Sequence, residues 1–297
     1  QKEDLHHSLI TPLHHGSDAD RARIAIYCLK DALLPIRLMD KLMSMVNYIE
    51  MARVTGVPFS YLLTRGVGIK VLTKIYSYTV GSSCTILIPD HRSGDPFDLV
   101  GALVLTPRKG FYDMPIIVLD FASLYPSIMM AHNLCYSAAV LPGQTLASLE
   151  LREEDVFTTA AGHTFVRKDK YMGVLPKVLY DLVGQRAKAK DDLKLEKDPM
   201  RKAVLDGRQL ALKIVCNSVY GFTGAQDGFP MLAVSESVTK TGQEMNRLTQ
   251  RLVLAYLREH IFADTEEARA YRQKFGIVYD EQAVQRAMLL SDEKAPN

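Results

Sequence analysis

Asp120-Phe121-Ala122-Ser123-Leu124-Tyr125-Pro126-Ser127-Ile128 and Lys213-Ile214-Val215-Cys216-Asn217-Ser218-Val219-Tyr220-Gly221 are the two stretches that decide how this chain is built. In the first, a carboxylate closes the apolar run Ile116-Ile117-Val118-Leu119, which reads as a strand buried on both faces. A strand-end acid can hold Mg²⁺, a hard cation that takes oxygen ligands. Ser123, Leu124 and Tyr125 then open a helix, and the free N–H groups of a first helical turn suit phosphate oxygens. Tyr125 offers a flat ring to a sugar. The structural alternatives are that Asp120 caps the helix and that Tyr125 belongs to the core. In the second stretch and just ahead of it, Gln209, Lys213, Asn217 and Tyr220 are spaced four, four and three apart, so they share one helix face.

Working outward, Val174-Leu175-Pro176 opens a long helix to about residue 196, with Pro176 in its first turn. Asp198-Pro199 is a turn in which Asp caps and Pro starts the next helix, which runs to about residue 219. Residues 167–221 therefore read as an antiparallel helical hairpin. Between 167 and 213 stand thirteen Lys/Arg and seven Asp/Glu, an excess of six positive charges. Arg186, Lys190 and Lys194 share a face of the first helix. Turned toward Lys213, they form a cleft suited to a triphosphate, Arg as a fork and Lys as a point charge. A solvated basic face is the plainer reading of the same charges. Gly221 allows a base pair to approach the backbone closely.

Upstream, 22–54 is helical in period, with Pro35 starting a second helix or kinking between two. Gly56-Val57-Pro58 breaks the pattern, and Ser60 suits the N-cap of a further helix. Residues 84–88 and 99–105 read as strands, with a loop at 91–98. Net charge over 297 residues is only +2, so bulk charge does not argue for nucleic acid. No apolar run is long enough to span a bilayer, and no secretory pattern opens the chain. Cys28, Cys84, Cys135 and Cys216 show neither metal-ligand spacing nor a disulfide framework, which makes a reducing, intracellular compartment the default. The start, Gln1-Lys2-Glu3-Asp4, reads like the middle of a longer protein.

These motifs resemble the family B DNA polymerases. Asp120-x-x-Ser123-Leu124-Tyr125-Pro126-Ser127 is similar to the family's motif A, and Lys213-x-x-x-Asn217-Ser218-x-Tyr220-Gly221 to its motif B. The flanks Ile128-Met129-Met130-Ala131-His132-Asn133-Leu134-Cys135-Tyr136 and Leu205-Asp206-Gly207-Arg208-Gln209 resemble its delta-type replicative branch, as does Phe222-Thr223-Gly224-Ala225-Gln226. The resemblance implies a mixed α+β (α/β) fold: a polymerase palm sheet, an antiparallel helical fingers hairpin, and a helical remnant of an exonuclease domain. It implies template-directed DNA synthesis with two Mg²⁺ ions. Asp120 would be a metal ligand; Ser123, Leu124 and Tyr125 would meet the triphosphate and sugar, Tyr125 excluding a 2′-hydroxyl. Arg186, Lys190 and Lys213 would bind the triphosphate, Asn217 would support them, and Tyr220 and Gly221 would face the nascent base pair. The implied partners are primer–template DNA, deoxynucleoside triphosphates and accessory polymerase subunits, with no membrane. The implied location is the nucleus, or the host cell if the protein is viral.

The resemblance divides the chain into an exonuclease remnant with connecting helices (1–80), a first palm part (81–166), fingers (167–236) and a second palm part (237–297), the thumb lying outside it. Tyr27-Cys28-Leu29-Lys30-Asp31 resembles the third exonuclease motif, Tyr27 orienting water and Asp31 holding metal. The other exonuclease carboxylates have no match, so no proofreading is expected. The family's second catalytic acid comes from Tyr-Gly-Asp-Thr-Asp-Ser, which does not occur here. Asp264, in Phe262-Ala263-Asp264-Thr265-Glu266-Glu267, is the candidate second catalytic and metal-binding acid. With Glu267 it also has the spacing of a capping box. If it caps, the rival reading follows: an inactive polymerase-like chain that binds nucleotide or nucleic acid, or acts as a scaffold.

Overall fold

The computed structural model describes residues 4–80, 101–107, 109–112, 116, 118–225 and 229–274. The expected strand at 84–88 and loop at 91–98 lie outside them, as do Phe275 and the residues that follow it. The described residues are largely helical, with one small antiparallel sheet, and so are of mixed α+β class.

The first helices are α1 (Ile10–His14), α2 (Asp18–Lys41), α3 (Ser44–Thr55), α4 (Phe59–Thr64) and α5 (Gly68–Thr79). A capping box starts α2: Ser17 Oγ accepts the Asp20 N–H at 3.3 Å and Asp20 Oδ2 accepts the Ser17 N–H at 2.9 Å. Pro35 neither starts a helix nor divides two, because it lies inside continuous α2. The break comes later, where Met43 turns left-handed at φ 51°. Ser60 is not a cap either; Pro58 precedes α4, and no side chain caps it.

The next helix, α6 (Leu124–Ala131), is followed by the strands β1 (Val156–Thr158) and β2 (Thr164–Val166), which pair antiparallel with Phe157 opposite Phe165. Residues 101–105 and the described part of 116–120 are not strands. Val104 is 85% and Val118 84% exposed, the opposite of burial on both faces. A strand is defined by its neighbour's hydrogen bonds, and apolar sequence alone does not supply one.

The fingers-like hairpin forms as its sequence predicts. α7 (Val174–Leu195) and α8 (Pro199–Gly224) pack along their length, joined at Asp198, whose carboxylate accepts the Arg201 N–H at 2.8 Å. Leu175, Leu179 and Leu182 of α7 meet the same core as Leu212, Val215 and Val219 of α8. α9 (Leu232–Tyr256) crosses α6 and α8, and α10 (Glu266–Lys274) follows it.

Two buried polar groups bolt these parts together. Asn133, itself left-handed at φ 51°, donates to Val166 O and Tyr171 O at 2.8 Å and accepts the Gly173 N–H at 2.8 Å. The first N–H groups of α7 are satisfied from outside the helix: Val174 donates to Ser137 Oγ and Leu175 to Cys135 Sγ, both at 3.2 Å. Gly173 must lack a side chain here, because a Cβ would stand 2.6 Å from Cys135 Cβ. On the other side, the buried Glu50 carboxylate of α3 accepts hydrogen bonds from Arg53 and from Arg208 Nε of α8, each at 2.7 Å. No described helix is long and apolar enough to cross a membrane.

Candidate nucleotide site

Asp120 is exposed and stands just ahead of α6. It lines a cavity of about 740 Å³ with Leu103, Leu105 and, from α9, Asn246, Thr249 and Gln250. It does not cap α6: Ser123 occupies the cap position, left-handed at φ 53°, and no side chain caps the helix. The Ser123 carbonyl accepts the Ser127 N–H at 2.9 Å. Leu124 and Tyr125 follow, both half-buried against the core.

The two deciding stretches meet through their tyrosines. The rings of Tyr125 (α6) and Tyr220 (α8) lie 4.4 Å apart between centroids, tilted by 50°. Burial first, and the neighbouring Tyr220 phenol second, push the Tyr125 phenol above its ordinary value. α9 backs this pair. The Tyr220 hydroxyl lies 3.0 Å from Thr239 Oγ1, which itself donates to Ser235 O at 2.7 Å. A hydroxyl has one proton, so Tyr220 is the donor to Thr239. By the same count, Ser235 donates to Thr223 Oγ1 at 3.0 Å, because Thr223 donates to Tyr220 O at 2.7 Å. Gly242 of α9 lies against Tyr125: an added Cβ would be 3.4 Å from its Cε1. Sequence reading missed Ser235, Thr239 and Gly242, because nothing local marks which face of a long helix will meet a tyrosine pair.

The cations are placed differently. Lys190, Lys213 and Asn217 are exposed, as is Gly221, beside which an added Cβ would meet nothing within 4 Å. Arg186 is half-buried and faces Cys216, and its Nε is buried without a hydrogen-bond partner among the described residues. Burial raises the Cys216 thiol to about 11, and the Arg186 charge opposes that rise. None of Arg186, Lys190 and Lys213 lines the Asp120 cavity. Among the described residues the acid and the cations are thus joined through the tyrosine contact, and the cavity at Asp120 is not lined by the cations.

Asp264 is not brought to Asp120's cavity. Its carboxylate, 84% exposed, pairs with Arg269 Nε at 3.1 Å. It does not cap α10 in the way its spacing suggests, because Thr265 Oγ1 accepts the Ala268 N–H at 3.1 Å one residue later. Among the described residues no three His, Cys, Asp or Glu side chains converge as a metal site. Asp120 is the one acid among the described residues that lines its cavity, and the described residues do not complete a two-ion site. Tyr27 and Asp31 lie one turn apart on α2, both half-buried.

Comparison with known proteins gives a consistent picture. The sequence model of DNA polymerase family B matches residues 57–281. The chain is similar to the DNA polymerase delta catalytic subunit of Dictyostelium discoideum, at 55% identity over 261 residues, covering 85% of this chain and 23% of that protein. It is similar to the subunit of the same name from Candida albicans, at 48% identity over 306 residues, covering 99% of this chain and 28% of that protein. The chain thus spans about a quarter of the length of these curated relatives. Its fold is similar to the family B DNA polymerase of Pyrobaculum calidifontis, with a TM-score of 0.65 at 30% identity, over 81% of this chain and 30% of that one. A match over most of the sequence, together with the shared fold, establishes that the chain belongs to DNA polymerase family B.

Proposed function

We propose that this chain carries the nucleotide-selecting part of template-directed DNA synthesis in a delta-type replicative polymerase. Its substrates are primer–template DNA and deoxynucleoside triphosphates, its location is the nucleus, and accessory polymerase subunits are its further partners. The observation that carries this reading is the contact of Tyr125 with Tyr220 at 4.4 Å, which joins the acid-bearing stretch to the cation-bearing helix. In this reading Tyr125 excludes a 2′-hydroxyl, Tyr220 and Gly221 face the new base pair, and Ser123 and Leu124 meet the triphosphate. Arg186, Lys190 and Lys213 bind its charges and Asn217 supports them. Lys190 and Lys213 each offer a point charge to a phosphate oxygen, and the buried Arg186 Nε, without a partner among the described residues, gains an acceptor.

Residues 167–236 form the fingers in this division, 81–166 and 237–297 the palm, and 1–80 the exonuclease remnant with Tyr27 and Asp31. The hairpin of α7 and α8 supports the first of these boundaries. Asp120 is the residue that would hold Mg²⁺, a cation that lowers the barrier by neutralising charge on the transferring phosphoryl group. The chain's own groups bind the triphosphate, orient the sugar and seat the base pair.

Asp264's pairing with Arg269 favours a second reading, in which the chain binds nucleotide and primer–template without extending the primer. Primer extension with Mg²⁺ and deoxynucleotides, alongside Asp120→Ala and Asp264→Ala, separates the two. Extension abolished by Asp120→Ala supports synthesis. Extension unaffected by Asp264→Ala removes Asp264 as second ligand. Nucleotide binding without extension supports the second reading.

A further inference from the structure

We infer that discrimination between deoxyribose and ribose at this site is set from behind the tyrosine pair, by Thr239 and Gly242 of α9. This rests on the reading of Tyr125 as the residue that meets the sugar. A ring that rejects one hydroxyl works only if it cannot retreat, since a displacement of about 1 Å at a reacting or selecting group changes rates by up to about a hundredfold. Two features limit that retreat, a hydrogen bond and a space no larger than a methyl group, and both come from one helix face.

Thr239 and Gly242 are three residues apart, so they share a face of α9, and both are buried. Gly242 presents bare backbone to α6. A Cβ there would stand 3.4 Å from Tyr125 Cε1, 3.6 Å from Ile128 Cδ1 and 3.7 Å from Leu124 Cδ2. A single methyl there would just touch the Tyr125 ring, and a branched side chain would not fit between the ring and α9. Thr239 holds the other ring, since its oxygen accepts the Tyr220 proton and its own proton is committed to Ser235 O. Tyr220 in turn bears on Tyr125. Gly242 fixes how far Tyr125 can move toward α9, and Thr239 fixes how far Tyr220 can swing away from it. Both are positioning residues acting through the tyrosines.

The test is equilibrium binding of radiolabelled dATP and ATP to the full chain, with Mg²⁺ and a primer–template duplex whose primer ends in a dideoxynucleotide so that no extension occurs, for wild type, Tyr125→Ala, Thr239→Val, Thr239→Ser, Gly242→Ala and Gly242→Val. Thr239→Val removes the anchor and lowers the preference for dATP over ATP about tenfold, while Thr239→Ser, which keeps the hydroxyl, returns it to within about twofold of wild type. Gly242→Val pushes Tyr125 into the sugar's space and weakens dATP binding about tenfold. Gly242→Ala, which only touches the ring, folds and moves dATP binding the same way by less. A merely structural role would change melting temperature and leave the dATP-to-ATP ratio alone. If Tyr125→Ala lowers the ratio while Thr239→Val keeps the wild-type ratio and Gly242→Ala the wild-type dATP affinity, both folded, the inference is overturned and the reading of Tyr125 stands. If wild type binds neither nucleotide, that reading falls and takes the inference with it.

Discussion

Arg208 Nε donates to Glu50 at 2.7 Å, linking α8 to a residue 158 positions upstream whose side chain is 1% exposed. Arg53 makes the second hydrogen bond to the same carboxylate from the next turn of α3. The contact is tight elsewhere too: a Cβ at Gly207 would stand 2.6 Å from Asn47 Oδ1. This junction holds the helical N-terminal part against the fingers-like hairpin. The cost of breaking it is asymmetric. Arg208→Met leaves a buried carboxylate half-paired and should cost about 3 kcal/mol, because removing one partner strands the other charge. Glu50→Met leaves two guanidinium groups that reach water and should cost less than half as much. Urea unfolding of both variants checks the order, and equal losses would contradict it.

Asn133 is the matching bolt on the other side of the core. Asn133→Ala removes three hydrogen bonds and places a residue with no local polar group in a left-handed conformation. The expected loss is about 3 kcal/mol or more, since each bond contributes about 1 kcal/mol and stranded buried groups add to it. Asn133→Asp keeps the acceptor for Gly173 and sets a carboxylate against two carbonyl oxygens, so it should be at least as damaging. Chemical denaturation with an unchanged slope would confirm a native-state effect.

Gly173 is held to glycine by contact. Its φ is −65°, so conformation does not demand glycine. The added methyl of Gly173→Ala would lie 2.6 Å from Cys135 Cβ and 3.0 Å from its sulfur. Overpacking of this kind costs about 1–3 kcal/mol. Cys135→Gly removes both atoms, and the double variant should be less destabilised than the two single losses added together, as measured in a double-mutant cycle.

Tyr78 of α5 donates its hydroxyl to Asp181 of α7, and that pair gives stability a pH dependence. Burial would raise the Asp181 carboxyl, but hydrogen bonds from Tyr78 and Gln185 outweigh it and hold the group below its ordinary value. Burial, then the bond to Asp181, pushes the Tyr78 phenol up. A depressed acid adds stability above its unfolded pKa of about 3.9, and loses it as pH falls further toward the folded value. A raised phenol adds stability below its unfolded pKa of about 10, lost as pH climbs toward the folded value. Melting temperature should therefore fall at both ends, and Tyr78→Phe should flatten both limbs. A variant with the wild-type pH profile would show that the pair does not couple folding to protons.

Local chemistry was enough to read the helical hairpin in advance. The turn at Asp198-Pro199 is made by residues within three positions of one another, and the apolar faces of α7 and α8 repeat at helical spacing. The family resemblance carried by 120–128 and 213–221 was legible for the same reason. Local chemistry misled where two nearby residues competed. Thr265 caps α10 one position after the acid whose spacing fitted, and Pro35 was absorbed into α2 because the break moved to Met43.

The apolar runs at 101–105 and 116–120 gave a wrong strand reading among the described residues, since pairing is a property of the neighbour and the run itself cannot reveal it. Only tertiary structure set Glu50 against Arg208, Asn133 against Gly173, and Thr239 and Gly242 behind the two tyrosines. A residue's own type and spacing say which face of a helix it occupies. What that face meets is decided by segments up to 158 residues away, through the packing of the whole core.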